Sequence, residues 1–151
     1  MSRMINRILV VCVGNICRSP MGEALFILAL NKAGMKAIQV RSAGMDALVG
    51  SKADKTVIRL MLEQGVDLSA HRGQQLNRDI LRWADLVLVM DKAQKRSIES
   101  WEPGARGKVY RIGKWGDFDV PDPYMQSDKK FETALELITK GVSDWVPKLK
   151  G

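Results

Sequence analysis

Cysteine is scarce in this chain: two in 151 residues, Cys12 and Cys17, in a C-x4-C spacing. Two thiols cannot build the disulfide framework of a small secreted fold, which points to a reducing compartment and a cytoplasmic protein. With a single histidine, His71, they also fall short of a metal-ligand set at any usual spacing, so no metal and no other cofactor is expected. Long apolar runs are missing too. The run near the N-terminus, Ile8 to Val13, is far short of the ~20 residues that cross a bilayer. It also lacks the length and cleavage site of a secretory signal, so no membrane insertion is expected. No repeat, low-complexity segment or linker interrupts the sequence, and residues 1–151 read as a single domain. Lysine and arginine number 24 against 17 acids, a formal charge of +7. That balance favours anionic partners. There is no dense basic block and no aromatic-interleaved basic stripe, so a nucleic-acid partner rests on charge alone and is not expected.

What is present is an alternation of strands and helices. Arg7 to Val13 is continuously apolar and β-branched, as inside a parallel sheet. Ser19 and Pro20 suit a helix start, with Met21, Ala24, Leu25 and Leu28 at helical spacing and Gly34 as the stop. A strand follows at Ile38 to Ser42. The small-residue loop AGMDALVGSKAD leads to a helix with Val57, Leu60 and Met61 on one face, ending at Gly65. Ala84 to Met90 is a second buried strand, and Asp91 is placed to cap the helix that runs through Trp101. Lys108 to Ile112 is a weaker strand. After an irregular loop a last helix starts near Ser127 and buries Phe131, Leu135, Ile138, Val142 and Trp145. The pattern predicts an α/β fold, a three-layer domain with a four-stranded parallel sheet, helices on both faces and right-handed crossovers. Ligands of such sheets sit at the carboxyl ends of the strands, where the order reverses.

The stretch CVGNICRSP, from Cys12 to Pro20, occupies such a place. Amides converging between a strand and a helix N-terminus stabilise a phosphate-sized anion, and Gly14 lets the backbone fold tightly around it. The loop lacks the second glycine and the Lys-Ser/Thr pair of a nucleoside-triphosphate site. It offers a thiol and a guanidinium instead. The potential that holds a dianion would keep Cys12 as thiolate, and Arg18 supplies a planar fork for two phosphoryl oxygens. The plain alternative makes Cys12 a small buried hydrophobe and Arg18 a surface residue. By themselves Asp122 before Pro123 reads as an Asp-Pro turn and Ser19 as a helix N-cap.

The combination CVGNICRSP, with a strand before it and a helix after, resembles the signature of the low-molecular-weight protein tyrosine phosphatases. RSAG at 41–44, His71 after a turn, the ADLVLVM strand and DPY at 122–124 fall in that family's order over the whole chain. The resemblance implies a phosphotyrosine protein as substrate and inorganic phosphate as product. It implies Cys12 as nucleophile, Arg18 as phosphate clamp and Asp122 as general acid and then base. Ser19 would donate to the Cys12 thiolate. Val13, Gly14, Asn15, Ile16 and Cys17 fall in the phosphate-binding loop, and Val13, Leu48 and Tyr124 match cleft-lining positions. Asn15, Ser42 and His71 match a hydrogen-bonded shell that props the loop open. The stretch SAGMDALVGSKAD looks most like the bacterial subgroup associated with capsule and exopolysaccharide export, which suggests a membrane-associated tyrosine autokinase as partner.

Three departures from the family stand out. Leu48 replaces an aromatic usual in eukaryotic members, Met125 stands at a second tyrosine, and Gln74 replaces an arginine of an H-x-A-R segment. Cys17 has three readings: a packed thiol, a metal ligand, or a redox partner of Cys12, the last favoured by the resemblance. A thioredoxin-coupled arsenate reductase would need further downstream cysteines, and none follows Cys17. A phosphotyrosine-binding module without turnover would not need Asp122.

Overall fold

The structure, a computed structural model, describes residues 4–150. Four parallel strands form one sheet: β1 (Arg7–Cys12), β2 (Gln39–Gly44), β3 (Leu86–Val89) and β4 (Val109–Arg111), in the order β2-β1-β3-β4. Five α-helices connect or flank them: α1 (Arg18–Lys32), α2 (Lys55–Glu63), α3 (Arg78–Trp83), α4 (Lys92–Trp101) and α5 (Asp128–Trp145). The sheet is covered on both faces because β1 from Ile8 onward and β3 throughout are apolar and buried at successive positions and must hide two sides. Ile8, Val10 and Cys12 of β1, with Leu86 and Leu88 of β3, pack with α1, α2 and α5 in one core. Leu9, Val11, Val87 and Val89 pack with α3 and α4 in the other. The single three-layer α/β domain predicted from the alternation is the one found. Among the described residues, no helix is long and apolar enough to cross a membrane.

Local chemistry sets most boundaries where the sequence places them. Gly34 and Gly65 follow α1 and α2 with φ of +74° and +82°, the left-handed turn that glycine enters at least cost. Asp91 caps α4 by accepting from the Gln94 amide at 2.8 Å. Ser127 precedes α5 as its N-cap residue, although its side chain makes no cap bond.

Three expectations need correction. Ser19 is not the cap of α1: the helix begins at Arg18 with Cys17 in the cap position, and the Ser19 hydroxyl is turned toward Cys12. Leu28 is only half-buried, whereas Phe26 and Leu30 are fully buried, because α1 packs against both the sheet and α5. Helix α3 lies where the sequence suggested no element. It has six residues and buries only Ile80 and Leu81, too short for a periodic signal, and its visible mark is the Asn77 cap accepting from the Ile80 amide.

The sheet order puts the reversal point between β1 and β3. The strand end after Cys12 and the loop before α1 therefore open into the crevice beyond the sheet.

Candidate active site

The loop after β1 is held from outside by its carbonyl oxygens. Those of Cys12, Val13, Gly14 and Ile16 accept from the backbone amides of Met45, Asp46, Leu48 and Asp54 at 2.9, 2.9, 3.0 and 2.9 Å. The fifth, Asn15 O, lies 2.7 Å from His71 Nε2. A carbonyl can only accept, so Nε2 carries the proton there. Five successive carbonyls thus point away from the loop's centre, and planar trans peptides aim the intervening amides toward it. This is the structural use of the small-residue loop after β2. Gly44 lets it come this close: a Cβ there would sit 2.5 Å from Val13 O and 3.0 Å from Asn15 N.

The turn itself needs a residue at φ +58°, taken by Asn15, whose side chain is fully buried and bonded. Its Nδ2 donates to Ser19 Oγ at 2.7 Å and to Ser42 Oγ at 3.1 Å, and its Oδ1 accepts from the Gln74 amide at 2.9 Å. Asn15, Ser42 and His71 are therefore brought together behind the loop. Gln74 occupies the departed arginine position without a charge, and its Nε2 donates to Ser42 O at 2.9 Å.

At the centre lies Cys12, 2% exposed. Its Sγ is 2.9 Å from Ser19 Oγ and receives the Ser19 amide at 3.4 Å. Arg18 is buried at the helix start, where Nη1 donates to Val120 O at 2.8 Å and Nη2 lies 3.7 Å from Asp122 Oδ2. Its Nε is buried and finds no hydrogen-bond partner among the described residues, an arrangement that an anion's oxygen would satisfy. Asp122 differs in every respect. Its side chain is 47% exposed, and its Oδ1 accepts from the Tyr124 amide at 3.0 Å in an Asx turn.

These residues line one cleft of about 180 Å³, together with Val13, Gly14, Ile16, Cys17, Leu48, Asp46 and Tyr124. A larger cavity of about 450 Å³ between α1 and α5 is lined by Leu25, Val142 and Pro147 together with Lys32, Thr139 and Ser143, and has no cysteine, histidine or carboxylate in its wall. Chemistry therefore selects the smaller cleft. The geometry also separates Asp122 from its neighbours. Asp117 and Asp119 pair with Arg111 at 2.7 and 3.0 Å, and that guanidinium holds the Asp117 carboxyl below its usual range. Cys17 is 3% exposed, and burial pushes its thiol far above the usual range, with Asp54, Cys12 and Asp122 adding to the rise and Arg18 opposing it.

Sequence reasoning missed three participants: Val120, whose carbonyl steadies Arg18; Asp46 on the rim; and Glu23, which accepts from Ser42 Oγ at 2.6 Å. Glu23 carries a signal in its spacing, one helical turn after Ser19.

The profile of the low molecular weight phosphotyrosine protein phosphatases matches residues 7–151. A protein of Ralstonia nicotianae, the probable low molecular weight protein-tyrosine-phosphatase EpsP, is 46% identical over 97% of this chain and 98% of its own. The crystal structure of the Erwinia amylovora tyrosine phosphatase AmsI superposes with a TM-score of 0.92 at 39% identity, covering 100% of this chain and 97% of that one. The tyrosine phosphatase Wzb from Escherichia coli, in complex with sulphate, gives 0.89 at 39% identity over 97% and 99% of the two chains. The chain therefore belongs to the low molecular weight phosphotyrosine protein phosphatases. It is an enzyme, a protein-tyrosine-phosphatase, as the fold and the cysteine-arginine loop foreshadowed.

Proposed function

We propose that this enzyme hydrolyses phosphotyrosine through a phosphocysteine on Cys12. The observation that carries the reading is one cleft lined by the buried Cys12, by Arg18 with its buried and unpartnered Nε, and by the exposed Asp122. The Cys12 thiolate attacks phosphorus in line, an S–P bond forms and the P–O bond to the tyrosine breaks. The inward amides and Arg18 hold the equatorial oxygens as charge develops. Asp122 gives its proton to the leaving phenolate oxygen. A water then attacks phosphorus, its proton passes to Asp122, the S–P bond breaks, and inorganic phosphate leaves with Cys12 restored as thiolate. Ser19, bonded to Sγ, stabilises the departing sulfur. Val13, Leu48 and Tyr124 form the walls, and the Tyr124 ring suits a flat phenyl group.

The substrate we assign is the phosphorylated tyrosine of a membrane-associated autokinase that controls exopolysaccharide or capsule production, met by this enzyme in the cytoplasm. The support is the likeness of the 42–54 loop to the bacterial subgroup and the 46% identity to EpsP. Hydrolysis of an aryl phosphate and of phosphotyrosyl and phosphoseryl peptides, without added metal, tests the chemistry. Turnover of the first two and not the third, abolished in Cys12→Ser, is the expected result. Inactive wild-type protein or an active Cys12→Ser variant contradicts it.

Cys17 belongs to a second, redox role in this reading. Peroxide oxidises Cys12 to the sulfenic acid, and the Cys17 thiol attacks that sulfur, releasing water and forming a disulfide. The high-lying Cys17 thiol slows this attack and leaves turnover to Cys12. A Cys12–Cys17 disulfide in peroxide-treated protein, seen by mass spectrometry, supports the role, and overoxidised Cys12 alone ends it.

A further inference from the structure

Behind the loop, Glu23 closes a hydrogen-bond chain whose direction can be worked out atom by atom. Ser42 Oγ lies 2.6 Å from Glu23 Oε1. A carboxylate only accepts, so the Ser42 hydrogen points at Glu23 and the Ser42 oxygen is left to accept. It accepts from Asn15 Nδ2 at 3.1 Å, and the second hydrogen of the same amide goes to Ser19 Oγ at 2.7 Å. With its oxygen accepting from Asn15, the Ser19 hydroxyl has its own hydrogen free for Cys12 Sγ, 2.9 Å away. At the far side the Gln74 amide fixes the same orientation by donating to Asn15 Oδ1 at 2.9 Å.

Reversal of the chain would turn the Ser19 hydrogen away from sulfur. If Ser42 had no acceptor, its hydroxyl would compete for Asn15 Oδ1, and rotating that amide would set its NH2 group against the Gln74 N–H. Helix α1 is what joins the two ends: Ser19 and Glu23, four residues apart, stand on one face of it, over Asn15 and Ser42. Glu23 itself touches neither the cleft nor Cys12. It lines a separate cavity of about 330 Å³ with Ala24, Ile27, Val66, Leu68 and His71.

We infer that Glu23 is a positioning residue for the reaction: as a hydrogen-bond acceptor it fixes the polarity of the Ser42–Asn15–Ser19 chain, so that the Ser19 hydroxyl donates to the Cys12 sulfur. The inference rests on the proposed role of Cys12. Its effect falls on steps in which sulfur carries negative charge, and it leaves the amide cradle alone.

The test compares Glu23→Ala, Glu23→Gln, Ser42→Ala and the Glu23→Ala/Ser42→Ala double variant, by kcat on an aryl phosphate and by inhibition with inorganic phosphate. Glu23→Ala is expected to lower kcat about three- to tenfold, the worth of one misdirected hydrogen bond, with the phosphate inhibition constant unchanged. Glu23→Gln restores kcat, because its carbonyl oxygen still accepts from Ser42. In the Ser42→Ala background, Glu23→Ala adds nothing further. Wild-type kcat in Glu23→Ala overturns the inference, as does a glutamine variant no faster than alanine, an additive double variant, or a loss of kcat matched by weaker phosphate inhibition. Wild-type protein that turns over no aryl phosphate sinks the phosphocysteine reading itself, before any variant is compared.

Discussion

The two halves of the cleft are built on opposite plans. The Cys12–Ser19 loop is buried apart from Val13 and Gly14, and five successive carbonyls and the Asn15 side chain tie it to the segments at 45–54 and 71–74. The segment carrying Asp122 and Tyr124 lies at the surface, with both side chains near half exposure and the Asx turn as its own internal bond. A rigid cradle suits a phosphoryl group, which is the same in every substrate. An open rim suits a leaving group that varies and, in the proposed mechanism, a carboxylate that gives up a proton and then takes one back. One contact crosses the divide. Arg18 donates to Val120 O on the segment that carries Asp122 while its Nη2 stands 3.7 Å from Asp122, so in the proposed mechanism the clamp would also set the position of the acid.

Substitutions on each side should break that division differently. Cys12→Ser, on the rigid side, is expected to cost at least about 10⁴-fold in kcat on every substrate, since Cys17, the other thiol lining the cleft, is kept protonated by burial and does not replace it. Asp122→Asn, on the open side, should lower kcat about 10²- to 10⁴-fold for a phenolic leaving group as poor as tyrosine. The loss should shrink steadily as the leaving phenol becomes more acidic. Equal losses across such a substrate series would mean that Asp122 is not the proton donor.

Tyr124→Ala should raise KM for phosphotyrosyl peptides about three- to tenfold and leave kcat nearly unchanged, as expected of a wall that binds the ring alike in ground and transition states. The smallest effect concerns Cys17. Its thiol ionises at higher pH when folded than when unfolded, so its contribution to stability is complete below about pH 8.5 and declines above it. In urea melts the wild type should lose up to about 1.4 kcal/mol more per pH unit above that point than Cys17→Ala does. Parallel slopes would contradict the burial argument.

The same contrast explains what the sequence made readable. The cradle is local: strand, glycine, cysteine, arginine and helix lie within fifteen residues, and local geometry follows from local composition. Asp122 is a hundred residues away, and as a turn aspartate beside Asp117 and Asp119 it stood out through the family resemblance alone. The Arg111 pairs that occupy its two neighbours exist in three dimensions only. Ser19 was half legible, since its polarity suggested a cap and its real partner is a sulfur across the loop. Helix α3 escaped because two buried residues make no period, and Glu23 because an acid on a helix reads as solvated until Ser42 is found beside it.

The central claim is that phosphorus passes through Cys12. Rapid acid quench of the enzyme during turnover of an aryl phosphate, followed by mass spectrometry of the peptide spanning residues 8–18, tests it most directly. The account predicts phosphate on Cys12, formed in a burst with release of the phenol and lost at the rate of turnover. A steady release of phenol without a burst, and no phosphate on that cysteine at any time, would contradict it.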